Sequence, residues 1–181
     1  NRYQGIPLEG YTKLIGNMLD HEHIKLKLLT KFEHGMLKSF DKVYYTGSID
    51  EFFDYELGEL PYRSLHFDFL TFDRPYFQTN SVVNYPCNYD FTRTGEYKYF
   101  LNTVSSKTIV SYEYPLAFVR GQNERYYPIP YGKNKLLYER YLGRSKGLAG
   151  KVVFLGRLGD YKYYDMDKAV ARALELGKSS V

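Results

Sequence analysis

The stretch from Arg63 to Tyr114 alternates apolar and polar residues with a period of two, and this limits the chain more than any other feature. Leu65, Phe67 and Phe69 fall on one side against Ser64, His66 and Asp68 on the other, and Val82 to Tyr85, Tyr97 to Leu101 and Thr108 to Tyr114 continue as further runs. Turn chemistry at Asp73-Arg74-Pro75, Tyr85-Pro86-Cys87-Asn88 and Ser105-Ser106-Lys107 separates them. Successive side chains of a strand point to opposite faces, so the pattern predicts an antiparallel meander. The strands are unusually aromatic: the 181 residues include 21 Tyr and 12 Phe but no Trp. Tyrosine buries a ring while keeping a polar tip, which suits half-buried strands and clefts for polar, ring-shaped ligands.

Other periods flank this region. Tyr11, Leu14, Ile15, Met18 and Leu19 share one helical stripe and predict a surface helix from Glu9 to Asp20. Ile24, Leu26 and Leu28 alternate with Lys25 and Lys27 as a strand with one wet face would. Val43 to Tyr45 reads as a short strand, Ile49 to Leu57 as a helix, Tyr127 to Tyr131 as a proline-interrupted loop, and Lys133 to Leu142 as a helix. Val152 to Leu155 is continuously apolar, as a strand covered on both faces is. It leads through Gly156-Arg157-Leu158-Gly159 to a helix from about Asp165, with Met166, Ala169, Val170, Ala173 and Leu174 expected inward. That is a strand-loop-helix unit of a parallel sheet, and its partner strands are expected outside this chain. The segments divide as 1–40, 41–131 and 132–181, an α+β arrangement with an antiparallel sheet at its centre.

Composition narrows the function classes. The 25 cationic residues are scattered among 21 acidic ones for a net charge of +4, which argues against a nucleic-acid partner. Cys87 is the single cysteine, so an internal disulfide is impossible and a reducing, cytoplasmic setting is expected. No apolar run approaches the ~20 residues of a membrane span. The chain opens Asn1-Arg2-Tyr3 without an initiator Met, as a piece of a longer protein would.

Chemistry can sit in few places. Gly156 and Gly159 allow a turn in which backbone N–H groups and a helix N-terminus face an anion or a polar cofactor, or they simply permit a tight bend. Arg157 stands at the mouth of an apolar strand, and its planar fork suits phosphate or carboxylate. Arg63 and Arg93 lie near strand ends beside aromatics; they serve either a diphosphate or cation–π and cross-strand pairs. Tyr126, Tyr127 and Tyr163 offer hydroxyls for phosphate or sugar oxygens, or pack in the core. His21 and His23 lack a third ligand nearby in sequence, and no serine-hydrolase elbow, zinc-protease motif or G-x-G-x-x-G turn is present.

Five ordered segments, Tyr44–Tyr55, Gly58–Leu65, Val82–Pro86, Tyr126–Pro128 and Gly156–Asp167, together resemble the UDP-galactopyranose mutase family. The resemblance covers nearly the whole chain but only the C-terminal half of the family's length. It implies interconversion of UDP-galactopyranose and UDP-galactofuranose with reduced FAD through a flavin N5-sugar adduct, without a protein nucleophile. It also implies that 41–131 is a substrate domain, that 132–181 belongs to a Rossmann-like FAD domain, and that the partner is the N-terminal half of the same enzyme, in a possible homo-oligomer.

Residue by residue, Arg93, Tyr127 and Tyr163 resemble the diphosphate-binding set, with Glu113 as an orienting carboxylate and Tyr126 beside it. Tyr11 resembles a tyrosine facing the nucleotide. Arg63 and Asn84 resemble groups around the sugar, and Gly156, Arg157, Asp165 and Met166 groups around the flavin. Arg2 lies near the end of the family's mobile loop. Ser48 stands where the family usually has Pro. The competing expectation is a non-catalytic nucleotide-sugar or carbohydrate-binding module using the same aromatic strands.

Overall fold

The computed structural model describes residues 5–178, so Arg2 lies outside the described residues. In chain order the elements are α1 (Gly10–Leu19), β1 (Val43–Tyr45), α2 (Ile49–Phe52), β2 (Tyr62–Phe72), β3 (Val82–Asn84), β4 (Arg93–Glu96), α3 (Lys98–Leu101), β5 (Thr108–Ala117), β6 (Tyr127–Pro128), α4 (Lys133–Ser145), β7 (Val152–Phe154), α5 (Gly156–Gly159) and α6 (Met166–Lys178). This is α+β, and the antiparallel sheet expected from the alternation is present. Two compact units divide the chain: Asn1–Lys31 with His66–Pro115, and Phe32–Leu65 with Leu116–Val181.

In the first unit β3, β4 and β5 are neighbours in an antiparallel ladder, with Asn84 opposite Arg93 and Arg93 opposite Glu113. Its buried side chains are largely polar: Thr94, Glu96, Thr108 and Ser111 join Val110. Two expected strands are not formed. Ile24, Leu26 and Leu28 stay in irregular backbone and are all exposed; alternation makes a strand only where an edge accepts its N–H and C=O groups. Tyr97 to Leu101 winds into α3 because the ladder ends at Glu96. The Lys98 ammonium there gathers the carbonyls of Pro75 (2.6 Å), Ser105 (2.8 Å) and Lys107 (3.0 Å), and Asn102 stops the turn at φ 50°.

The second unit holds the apolar core of Ile49, Leu60, Tyr62, Tyr141 and Tyr161, against which Phe53, Leu57, Phe118, Leu137, Tyr138, Phe154 and Leu158 pack. Tyr141 and Tyr161 satisfy their tips from inside, whereas the buried Tyr62 hydroxyl has no hydrogen-bond partner among the described residues. The Tyr141 hydroxyl donates to Gly58 O (2.7 Å) and accepts from Leu57 N–H (3.1 Å), and the Tyr161 hydroxyl lies 2.8 Å from Pro61 O and 3.1 Å from Ile129 O. Burying each such ring contributes about 2 kcal/mol, provided the hydroxyl keeps a partner.

Four expectations change here. β7 has a parallel partner within the chain, β1, in the register Val43↔Val152 to Tyr45↔Phe154; the pairing joins segments too far apart in sequence for periodicity to reveal. Tyr127-Pro128 is not a loop but β6, paired with β2 through Tyr62↔Pro128 and Arg63↔Tyr127; proline is tolerated because β6 is an edge strand. The helix begun at Ile49 ends at Phe52, after which Asp54 (φ 49°) and Tyr55 (φ 59°) turn left-handed. In α6 the stripe Met166, Val170 and Leu174 is 63%, 59% and 60% exposed, whereas Ala169, Arg172 and Leu176 are the half-covered positions. Arg172 directs that face inward through its contact with Asp160, 3.5 Å away.

Candidate functional site

Three of the expected site residues form one row across three strands of the first unit. Asn84 on β3, Arg93 on β4 and Glu113 on β5 are successive cross-strand partners, and partners in register present side chains on the same face. The Arg93 Nε–H donates to Asn84 Oδ1 at 3.0 Å, and its Nη1 lies 3.6 Å from Glu113 Oε2. The Arg93 side chain is 47% exposed while that of Glu113 is 14% exposed. A cation is thus held from both sides with part of its fork open to an incoming anion. At that exposure the ion pair is screened and orients more than it stabilises. Tyr11 stands on α1, 41% exposed; no hydrogen bond joins it to this row.

The second unit carries a separate cluster. The Arg157 guanidinium donates through Nη1 to Tyr126 O (3.2 Å) and through Nη2 to Tyr164 O (2.5 Å). It lies 5.1 Å from the Tyr127 ring centroid and 5.4 Å from that of Tyr163. Those two rings stack on each other at 5.6 Å with 29° between planes. The partners of Arg157 in the second unit are therefore two carbonyls and two aromatic faces, which makes it a clamp on the tyrosine pair. Arg63, exposed on β2, is the cross-strand partner of Tyr127 and shares its sheet face. Arg63 and Arg93 belong to different units.

Tyr163 is 59% exposed, and its hydroxyl donates to Asp165 Oδ1 at 3.0 Å. That bond, with burial second, raises its pKa, so the phenol stays protonated and remains a donor at neutral pH. Asp165 also accepts the first backbone bonds of α6, from Lys168 and Ala169 N–H to its carbonyl at 3.1 Å each. Between β7 and α6 the chain turns at Gly156, where φ is 83°. At Gly159 an added Cβ would sit 3.1 Å from Tyr45 O and 3.4 Å from the Phe154 carbonyl carbon, so a larger residue would press on the backbone of β1 and β7. The Gly156 N–H donates to Asp160 Oδ2 at 3.2 Å.

Sequence reasoning missed two groups. Glu96 is fully buried and accepts from two backbone N–H groups and a hydroxyl; an acidic residue in an alternating run gives no sign of this. Arg125 pairs with Glu51 Oε2 (3.1 Å) and the Tyr55 hydroxyl (3.0 Å) and lies over Phe118 at 4.3 Å. Nearby Asp50, buried, accepts from Leu60 N–H at 2.9 Å. His23 N–H donates to His21 Nδ1 at 3.2 Å, and no cluster of three or more potential metal ligands occurs among the described residues. No helix among them is long and apolar enough to cross a membrane.

The sequence profile of the family described as UDP-galactopyranose mutase matches residues 1–163. A "Probable UDP-galactopyranose mutase" of Klebsiella pneumoniae is 38% identical, over 97% of this chain and 45% of its own length. The UDP-galactopyranose mutase of Mycoplasma pneumoniae is 38% identical over 94% of this chain and 46% of its own. A dTDP-fucopyranose mutase of Escherichia coli is 32% identical over 97% and 48%. The chain spans about half the length of the curated relatives it matches. With a profile match over nearly all of its residues, this chain belongs to the UDP-galactopyranose mutase family.

Proposed function

We propose that this chain is the C-terminal portion of a UDP-galactopyranose mutase, an isomerase that interconverts UDP-galactopyranose and UDP-galactofuranose with reduced FAD, and that it does not turn over substrate by itself. The observation that carries this reading is the row Asn84–Arg93–Glu113, which presents an oriented, half-exposed guanidinium as recognition of a sugar diphosphate requires. Arg93 meets the diphosphate charge and Glu113 and Asn84 hold its fork. Tyr127 and Tyr163 offer phenol hydroxyls to phosphate oxygens, Tyr163 by exchanging its bond to Asp165. Tyr126 and Arg63 flank the tyrosine pair, and Tyr11 faces the nucleotide.

FAD, when bound, supplies the nucleophile for the anomeric carbon. The residues near β7 and α6 fit such a group in one respect: the first N–H groups of α6, at Met166 and Asp167, precede the first intrahelical bonds, leaving donors for a polar ring edge. Gly156, Asp165 and Met166 would line that edge. Arg157 would hold Tyr127 and Tyr163 beside it. In this reading residues 41–131 serve the substrate and 132–181 form part of a Rossmann-like FAD domain.

The test is turnover of UDP-galactofuranose under reducing conditions. The intact natural protein carrying this chain is expected to be yellow as purified and active once reduced, and the chain alone colourless and inactive. Sustained turnover by the chain alone, or UDP binding by the intact protein without any isomerisation, would contradict the proposal; the second result favours a nucleotide-sugar-binding module.

A further inference from the structure

Glu96 is a buried carboxylate that the proposed chemistry does not use. It ends β4 fully buried, and its oxygens accept from Phe77 N–H (3.0 and 3.2 Å), Gln78 N–H (3.0 Å) and the Thr108 hydroxyl (2.6 Å). Burial by itself would raise its pKa, but the Thr108 hydroxyl and the two backbone donors outweigh it and hold the carboxyl below its ordinary range. It is therefore ionised at neutral pH, and both donor-rich neighbours on the 77–78 backbone are fixed to it.

Those neighbours begin the approach to β3. Glu96 N–H donates to Ser81 O at 2.8 Å, the Thr94 hydroxyl donates to Gln78 Oε1 at 2.7 Å, and the Tyr99 hydroxyl donates to Gln78 O at 2.6 Å. β3 itself is a three-residue strand at the end of the strand order, with β4 as its neighbour. The Tyr85 N–H bond to Thr92 O (2.8 Å) extends the pairing by one step, and residues 86–91 beyond it form too long a loop to set the register as a tight hairpin turn does. A slip of one residue would turn every β3 side chain to the opposite face. Asn84 would then leave Arg93.

We propose that Glu96 is a positioning residue for the Arg93 site: by anchoring residues 77–81 it fixes the register of β3 on β4 and so keeps Asn84 Oδ1 against Arg93 Nε. The inference rests on the reading of Arg93 as the diphosphate-binding cation. It assigns to a buried acid, three residues beyond Arg93 on the same strand, control of how tightly a nucleoside diphosphate is held.

The experiment is a double-mutant cycle in the intact, flavin-loaded protein, with the dissociation constant of UDP as the readout. Glu96→Gln is expected to weaken UDP binding about fivefold to tenfold, and Asn84→Ala by a similar factor. If Glu96 acts through Asn84, adding Glu96→Gln to Asn84→Ala weakens binding by less than about twofold more. Thr108→Val, which removes one bond and keeps the charge, covers the case in which Glu96→Gln fails to fold; it is expected to weaken UDP about twofold and to lose that effect in the Asn84→Ala background. Factors that multiply in either cycle, or single variants that leave UDP affinity unchanged, overturn the inference. Arg93→Ala is run alongside: unchanged UDP affinity there removes the site reading itself, an outcome distinct from multiplying factors with Arg93→Ala impaired.

Discussion

Ser48 shows how one side chain can sit against its surroundings. It is 1% exposed, its Oγ has no hydrogen-bond partner among the described residues, and its backbone is at φ −74° and ψ 139° just before α2. Proline fixes φ near that value and has no hydroxyl to bury. Ser48→Pro is therefore expected to raise stability by about 0.5–1 kcal/mol, read as a higher Tm; a lower Tm would show that the N–H or the ring space matters. The buried phenols make a second point at this scale. Burial pushes the Tyr161 pKa up to about 12, and burial with the Glu51 charge does the same for Tyr45.

A folded-state pKa above the unfolded value of about 10 means that the neutral phenol stabilises the fold. That contribution is full below about pH 10 and is lost as the pH rises toward 12. The chain is expected to unfold cooperatively in that window, followed by circular dichroism with tyrosinate absorbance. Tyr161→Phe should cost about 1–2 kcal/mol at neutral pH by leaving Pro61 O and Ile129 O without its hydroxyl, and it should flatten the alkaline loss. An unchanged alkaline slope would place the controlling phenol elsewhere.

At the scale of elements, what could be read from sequence was what depends on neighbours along the chain. The stripe from Tyr11 to Leu19, the alternation from Thr108 and the pattern from Lys133 each became the element expected. Ile24 to Leu28 and Tyr97 to Leu101 failed because strand formation needs an accepting edge, and a Lys98 ammonium capturing three carbonyls decides against one. The parallel pairing of β1 with β7 was invisible because it joins segments far apart in sequence. Its one local trace is Gly159, whose lack of a Cβ lets α5 pass the end of β1. Gly159→Ala should destabilise by about 1–3 kcal/mol through that overlap, measured by urea unfolding, while Gly143→Ala on α4, where an added Cβ meets nothing within 4 Å, should not. Equal effects at the two positions would refute the packing argument. The site was legible in kind, as arginines and tyrosines near strand ends, but the row Asn84–Arg93–Glu113 depends on register, which periodicity does not fix.

At the scale of the molecule, the net charge of +4 is small against 25 cationic and 21 acidic residues. Charge acts locally instead, in one half-exposed guanidinium held by an amide and a carboxylate, and in one guanidinium covered by carbonyls and tyrosine rings. This division suits a protein whose reactive chemistry resides in a cofactor and whose own residues orient and neutralise. The most direct test of that account compares the intact reduced protein with its Arg93→Ala variant in turnover of UDP-galactofuranose. The account predicts a loss of at least about 100-fold in kcat/KM with Tm nearly unchanged, because the guanidinium meets charge on the substrate. A kcat/KM within about threefold of the parent would contradict it.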